Sequence, residues 1–317
     1  MSPRLRLGLI IFGVLFSLTI IGPYFAPSPT EIVDPRASGA LPPGSRRSLV
    51  YRTDGTVLAA ERVVQYRDFV KIVRQGKQEL IPAAEVGKVE DRLFVLGTDA
   101  LGRDVLARAL HGGRVSLAIG TLALAATLVV GISLGLLAGW SGGLVDSLIM
   151  RAVDALLAVP MIFFLLLLAA VFRPSLAALV LVLAASAWMG VARLVRGQVL
   201  SLKEREFILA ARGIGASPVR IAVTHLLPNA LTPIAQDGAL RLGDLVLTEA
   251  ALSFLGLGVQ PPVPSWGNMV AEGQDLLAAA WWLTFVPGVA VVVTVIAAAL
   301  VADGLSELSR KRGISAA

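Results

Sequence analysis

The side chains able to do chemistry are few and far apart. There is no cysteine, and the only imidazoles, His111 and His225, lack a second histidine or a carboxylate at the short spacing of a zinc motif. Disulfides, thiolate sites and cysteine nucleophiles are excluded, and no metal is expected. The Gly-Lys pairs at Gly76 and Gly87 run on into Gln78 and Val89, not into a Gly-x-x-x-x-Gly-Lys-Ser/Thr phosphate cradle. No catalytic residue and no cofactor is therefore expected. What remains is charge inside apolar runs, at Asp154, Asp244 and Glu249, where an ionised group costs about 2.5 kcal/mol or more and turns inward. Arg151, one turn before Asp154, offers it an i,i+3 partner. Asp244 and Glu249, five apart, are candidate pathway residues beside a wetted cavity, with a structural hydrogen bond as the alternative.

The elements that hold these groups are set by composition. Hydrophobic residues make up 56% of the 317 and charged residues 16%, and the mean hydropathy of +0.78 places much of the chain in lipid. The net charge of +6 is scattered between apolar runs rather than gathered with aromatics, so no nucleic-acid partner is expected. Crossing a bilayer takes about 20 apolar residues. Six segments qualify: about Leu7 to Phe25, Val115 to Gly139, Val153 to Phe172, Leu176 to about Leu194, about Ala230 to Leu257, and Leu283 to Ala302. Only Arg173, Pro174 and Ser175 separate the third and fourth, which predicts a tight helical hairpin.

Short loops rich in lysine and arginine stay in the cytoplasm. Arg4 and Arg6 precede the first span, a cluster from Arg193 to Arg220 lies between the fourth and fifth, and Arg310, Lys311 and Arg312 follow the sixth. All three fall on one side if there are six spans, which predicts a multi-pass inner (cytoplasmic) membrane protein with both termini cytoplasmic. The first span is read as retained; a cleaved signal peptide is the alternative, against which Tyr24 occupies a position that favours a small residue. The expected organisation is a first membrane helix at 1–25, an external loop or subdomain at 26–113, and a five-helix core at 114–317. Alternation in Thr56–Val64 and Asp68–Val73 makes the external insert β-rich, with a partly disordered loop as the competing reading. The fold class is thus all-α polytopic, with that insert.

The most patterned polar stretch lies at 201–229. From Lys203 to Ile214, Phe207, Ala211 and Ile214 share one helical face with Ile208 beside them. Gly213 and Gly215 can end the helix, Ser217 can cap a second one with Pro218 at its first position, and Pro228 is expected to stop it. This is a helix-turn-helix of two pieces too short to be stable without a surface to dock on.

Ala210-Ala211, Gly215, Leu227 and Pro228 stand at the spacing of the EAA loop of ABC importer permeases, which this segment resembles. Three further segments look like the C-type subunit of dipeptide and oligopeptide permeases: Leu96–Asp104, Asp146–Pro160 and Glu249–Gly258. The likeness covers the chain except for an insert at about Ser45 to Glu90. Leu209 replaces the glutamate that names the loop, and His225 stands where isoleucine is common. The resemblance implies a coupling element that enters a cleft on an ATPase, with Glu206, Ala210, Ala211, Arg212, Gly215, Ala216, Ser217, Pro218 and Arg220 as its residues. It also implies a second homologous permease subunit, two ATP-binding subunits and an external solute-binding protein as partners, with ATP hydrolysis on separate chains. The competing functions are a secondary transporter or channel working without an ATPase, which would show internal repeats not seen here, and a membrane-anchored scaffold.

Three other features have plain structural readings. Gly131, Gly135 and Gly139 form a small-xxx-small stripe for close helix packing, within the subunit or across a dimer seam. Thr98, Asp99, Arg103 and Asp104 are read as an external hydrogen-bonded cap on the second span, where Asp99 or Asp104 suits a helix N-terminus, with substrate binding as the alternative. Trp266, Trp281 and Trp282 are expected in an interfacial aromatic belt, with contact to an external solute-binding protein as the alternative.

Overall fold

The computed structural model describes residues 2–171 and 175–315; Arg173 and Pro174, the centre of the expected tight hairpin, lie outside the described residues. The chain opens with α1 (Pro3–Ile21), a 3-10 turn to Tyr24 and the short α2 (Pro35–Ser38). Six strands follow: β1 (Ser45–Arg52), β2 (Val57–Ala60), β3 (Arg62–Gln65), β4 (Phe69–Arg74), β5 (Lys77–Pro82) and β6 (Val86–Phe94). The rest is helical: α3 (Val105–Ser141), α4 (Gly143–Leu157), α5 (Met161–Val171), α6 (Leu176–Leu202), α7 (Glu206–Gly213), α8 (Pro218–Ile221), α9 (Leu227–Phe254), α10 (Trp266–Gly273) and α11 (Trp282–Ser315).

Four described helices are long and apolar enough to cross a membrane: Pro3–Tyr24, Val105–Ser141, Leu176–Leu202 and Trp282–Ser309. The third expected span is not one helix. It is broken between α4 and α5, where Pro160 lacks an N–H and pushes Val159 away from helical geometry. The fifth, α9, is a continuous helix of 28 residues, but Asp237, Arg241, Asp244 and Glu249 make it more polar than the other four.

Two compact units emerge, one built from Leu117–Leu252 with the first 15 residues and the stretch from Val291, the other from Phe16–Ser116 and Ser253–Ala290. In the first unit the glycine stripe of α3 meets a valine stripe of α6. A Cβ on Gly131, Gly135 or Gly139 would stand 2.5 to 2.7 Å from Val191, Val195 and Val199, so packing within the subunit accounts for the spacing. The start of α1 lies on α11 in the same way: Gly8 leaves no room for a Cβ beside Val301, and Ser2 donates to the Gly304 carbonyl at 3.3 Å. Asp146 on α4 binds Arg196 on α6 at 2.5 and 2.6 Å. Asp154 pairs with Arg193 of α6, not with the expected Arg151, because α4 turns it toward the neighbouring helix.

The second unit carries the strands, and the β-rich reading of the insert is met by two antiparallel sheets, ordered β2-β1-β6 and β3-β4-β5. Alternation along β1 sends Leu49 and Val50 to opposite faces, and both are fully buried. Val50 joins Val70, Ile72 and Ile81 between the sheets, while Leu49 joins Phe94, Val33 and Leu41 beneath the segment that leads in from α1. The tryptophans of this unit correct the aromatic-belt expectation. Trp266 and Trp282 are buried, and their indole N–H groups donate to the carbonyls of Ala109 at 3.0 Å and Thr98 at 3.3 Å. An indole whose one donor is satisfied can serve as core filling; of the three, only Trp281 is exposed.

Candidate functional site

The turn between α6 and α9 is built from local rules. Glu206 lies in the first turn of α7 and Arg212 in its last, both favourable to the helix dipole. The helix closes at Ile214: Gly215 N–H donates to Arg212 O at 2.9 Å and Ala216 N–H to Ala211 O at 3.0 Å. That is the Schellman arrangement, and it needs the left-handed backbone that Gly215 supplies at φ +81°. Gly213 stays helical, so Gly215 alone ends α7. Ser217 then accepts from Arg220 N–H at 3.4 Å and Pro218 occupies the first position of α8.

Pro228 does not stop this second helix. α8 runs through a wide π-turn at 222–226, in which Leu227 N–H donates to Ala222 O, and continues as α9. The wide turn changes the pairing where proline offers no donor and where its ring meets the preceding turn, so the helix continues.

The loop has two faces. Ile208, Ala211, Ile221 and Leu226 are buried in one cluster with Val191, Val195 and Val199 of α6, and Ala216 packs at its edge. This corrects the role expected of Ala211: its small side chain allows close approach to the protein's own α6. The other face is open. Ile214 is 87% and Val219 74% exposed, with Phe207, Leu209 and Val223 also exposed. Glu206, Ala210, Arg212, Gly215, Ser217, Pro218 and Arg220 lie on this accessible side, and the Arg212 guanidinium sits 4.4 Å over the Trp140 ring. The exposed apolar set was missed from sequence, because Phe207 and Ile214 share a helical face with Ala211 and were grouped with it. The loop thus exposes several large apolar side chains together with Arg205, Arg212 and Arg220, a composition suited to binding a protein surface with acidic edges.

The candidate pathway residues do not share a face. Asp244 is exposed, whereas Glu249, a little over one turn further, is fully buried. α9 holds another charged pair that sequence reasoning passed over: Arg241 bonds Asp237 at i−4 and donates to the Ala187 carbonyl of α6 at 3.0 Å. The i,i+4 spacing was its signal.

The residues before α3 form a closed cluster. Asp104 is the helix cap, accepting from Ala107 N–H at 3.0 Å. Asp99 accepts from Leu101 and Arg103 N–H groups and binds Arg103 Nε at 2.6 Å and Arg108 Nη1 at 2.8 Å. Glu272 of α10 completes it, 2.7 Å from Arg103 and 2.9 Å from Arg108. With Arg108 only 2% exposed, this is an ion-paired clasp between α10 and the start of α3.

Residues 131–313 match the family described as binding-protein-dependent transport system inner membrane component. Among curated proteins the chain is 40% identical over 214 residues to the di/tripeptide transport system permease protein DppC of Pseudomonas aeruginosa, covering 68% of this chain and 71% of that one. It is 38% identical over 239 residues to the dipeptide transport system permease protein DppC of Bacillus subtilis, covering 74% and 72%. Among solved structures it is similar to a chain of the MetNI methionine ABC transporter in an inward-facing conformation, with TM-score 0.51 and 22% identity over 64% of this chain and 95% of that one, a likeness of fold. The family match spans more than half of the sequence, including the whole α7–α8 loop, and this chain belongs to the binding-protein-dependent transport system inner membrane components.

Proposed function

We propose that this chain is one of two channel-forming subunits of an ATP-driven importer of di- or oligopeptides. Its partners are a second, homologous permease, two ATP-binding subunits that hydrolyse the nucleotide, and an external solute-binding protein. The loop from α7 to the π-turn is the coupling element, with Glu206, Ala210, Arg212, Gly215, Ala216, Ser217, Pro218 and Arg220 presenting or shaping its surface and Ala211 anchoring it. In this reading the chain crosses the membrane six times with both termini in the cytoplasm, α4 with α5 forming the third crossing and α9 the fifth. The packing of α1 on α11 supports a first helix that is retained. Asp244 and Glu249 are proposed as pathway residues, from the cost of keeping charge in a membrane helix.

One observation carries the proposal: a short helix pair is anchored to α6 by Ile208, Ala211, Ile221 and Leu226 while it leaves Ile214, Val219 and the arginines Arg205, Arg212 and Arg220 exposed. ATPase closure would move so anchored a loop together with α6, and alternating access follows from that linkage. The test is Ile214→Asp with Val219→Asp. Both side chains are exposed, so membrane insertion is expected to persist while copurification with the ATP-binding subunits and ATP-driven peptide uptake are lost. Unchanged uptake would overturn the assignment, and peptide flux from the purified chain alone in liposomes would favour a secondary transporter.

A further inference from the structure

An antiparallel sheet covered on one side is ordinarily polar on the other, and the β3-β4-β5 sheet departs from that pattern. Its inner face gives Val70, Ile72 and Ile81 to the core shared with Val50 of the neighbouring sheet. Alternation then assigns the opposite face, across which the register sets Val64 of β3, Lys71 of β4 and Leu80 of β5 side by side. Val64 is 46% and Leu80 62% exposed. Next to this row Tyr66, also exposed, stacks its ring on Phe69 at 4.6 Å. Contiguous apolar groups left open in this way mark a binding surface.

The charge on that face has one sign. Arg62 and Lys71 are the ionisable side chains that alternate onto it, and among the described residues neither is in an ion pair. The carboxylate of the same strands, Glu79, alternates to the inner side and lies 3.1 Å from Arg74. Free positive charge beside apolar side chains suits a partner that carries carboxylates around an apolar patch of its own, whereas a second copy of this chain would bring the same sign. Layer order decides between solution and lipid. On the far side of the β2-β1-β6 sheet, Leu49 packs on Val33 and Leu41 of the segment that leads in from α1. Leu41 N–H donates to Thr98 Oγ1 at 2.8 Å, and the Thr98 carbonyl holds the Trp282 indole at the start of α11. The lead-in segment and the β2-β1-β6 sheet therefore lie between the helix ends and the β3-β4-β5 sheet, whose open face is reached from solution. We propose that this face docks the importer's solute-binding protein, an acidic rim on that protein meeting Arg62 and Lys71 while its apolar patch covers Val64, Tyr66 and Leu80. The proposal rests on the importer reading and on residues 26–113 lying outside the membrane.

The experiment takes the full-length chain, assembled in nanodiscs with its second permease and ATP-binding subunits, and measures its affinity for the purified solute-binding protein of the same importer. Lys71→Glu should weaken binding roughly tenfold at low salt and lose most of that effect at about 1 M salt, where charges are screened. Leu80→Asp should weaken it roughly tenfold at either salt, as the loss of an apolar anchor does. Arg46→Glu makes the same charge reversal at an exposed position of β1 on the other sheet, and should leave the affinity as it is. Benzoylphenylalanine in place of Leu80 should cross-link the solute-binding protein on illumination, which decides the matter even where a charged variant disturbs the insert. Unchanged affinity in both face variants, an equal loss in Arg46→Glu, or cross-linking from position 80 to lipid, to a second copy of this chain or to nothing would overturn the docking surface. A wild-type assembly that takes up no peptide with ATP would overturn the importer reading itself, and this proposal with it.

Discussion

The clasp before α3 and the loop between α6 and α9 solve opposite problems with similar side chains. In the clasp, Arg103 and Arg108 are buried against Asp99 and Glu272, with every carboxylate of the set taken up. In the loop, Arg212 lies exposed over the Trp140 ring and Arg220 is exposed, with Ile214 and Val219 bare and no carboxylate paired to either arginine among the described residues. An arginine enclosed with its partners belongs to the fold, and one left exposed without a carboxylate belongs to an encounter. Substitutions should therefore damage stability in the first region and partnership in the second.

The largest expected loss of stability comes from Arg108→Met. It leaves Asp99 buried beside a single remaining guanidinium, and breaking a buried pair this way costs about 3–5 kcal/mol. Thermal unfolding in detergent should show a large drop in midpoint, and adding Asp99→Asn should recover part of it. A drop no larger than that of Arg220→Met would erase the contrast between the regions. Next is Gly135→Val, which drives a side chain into the Ala192 carbonyl and Val195 and should cost about 1–3 kcal/mol by overpacking. Disulfide crosslinking between α3 and α6 should slow in that variant if the stripe sets their approach.

Gly215 lies between the extremes. Among the described residues nothing stands within 4 Å of a Cβ placed there, so replacement is not a clash; the cost is the left-handed backbone, about 1–2 kcal/mol for an L residue. Gly215→Val should fray the end of α7 and weaken ATPase copurification, with Gly215→Asn milder because asparagine tolerates that conformation better. Equal loss in both variants would show that the partner needs the bare backbone at 215 and that the turn's shape is secondary.

These cases also show which features the sequence made legible. The glycine stripe and the Gly215-x-Ser217-Pro218 turn were readable because their physics is local, a repeat of four or a capping rule. The break at Pro160 was passed over because averaging hydropathy across a window hides one missing donor. Trp266 and Trp282 read equally as belt or core residues in the sequence, because an indole suits both, and the carbonyls that decide between them, on Ala109 and Thr98, are more than 150 residues away. Arg193 as the partner of Asp154 and Glu272 as the fourth member of the clasp were out of reach for the same reason. Pro228 was misjudged because a π-turn is set by the packing of Ile221 and Leu226 on α6, not by a motif.

The mildest test asks whether closed polar clusters recur among the strands. Tyr51 on β1 donates to Glu31 at 3.0 Å and accepts from Arg92 at 2.7 Å. Burial first, and then the hydrogen bond to Glu31, push its phenol up to about 12 against an attraction from Arg92 that pulls the other way. A raised folded-state value means that the native chain holds the proton more tightly than the unfolded one. The stabilisation is complete below about pH 10, where unfolded tyrosine ionises, and is lost as pH rises through about 12. With Tyr24→Phe and Tyr66→Phe in place, the tyrosinate absorbance reports Tyr51 alone. It should rise late, near pH 12, and Glu31→Gln should bring the rise to lower pH by removing the acceptor's charge. A Tyr51 that ionises near pH 10 in the folded chain would mean that water reaches this cluster, and that enclosure of charge is confined to the clasp.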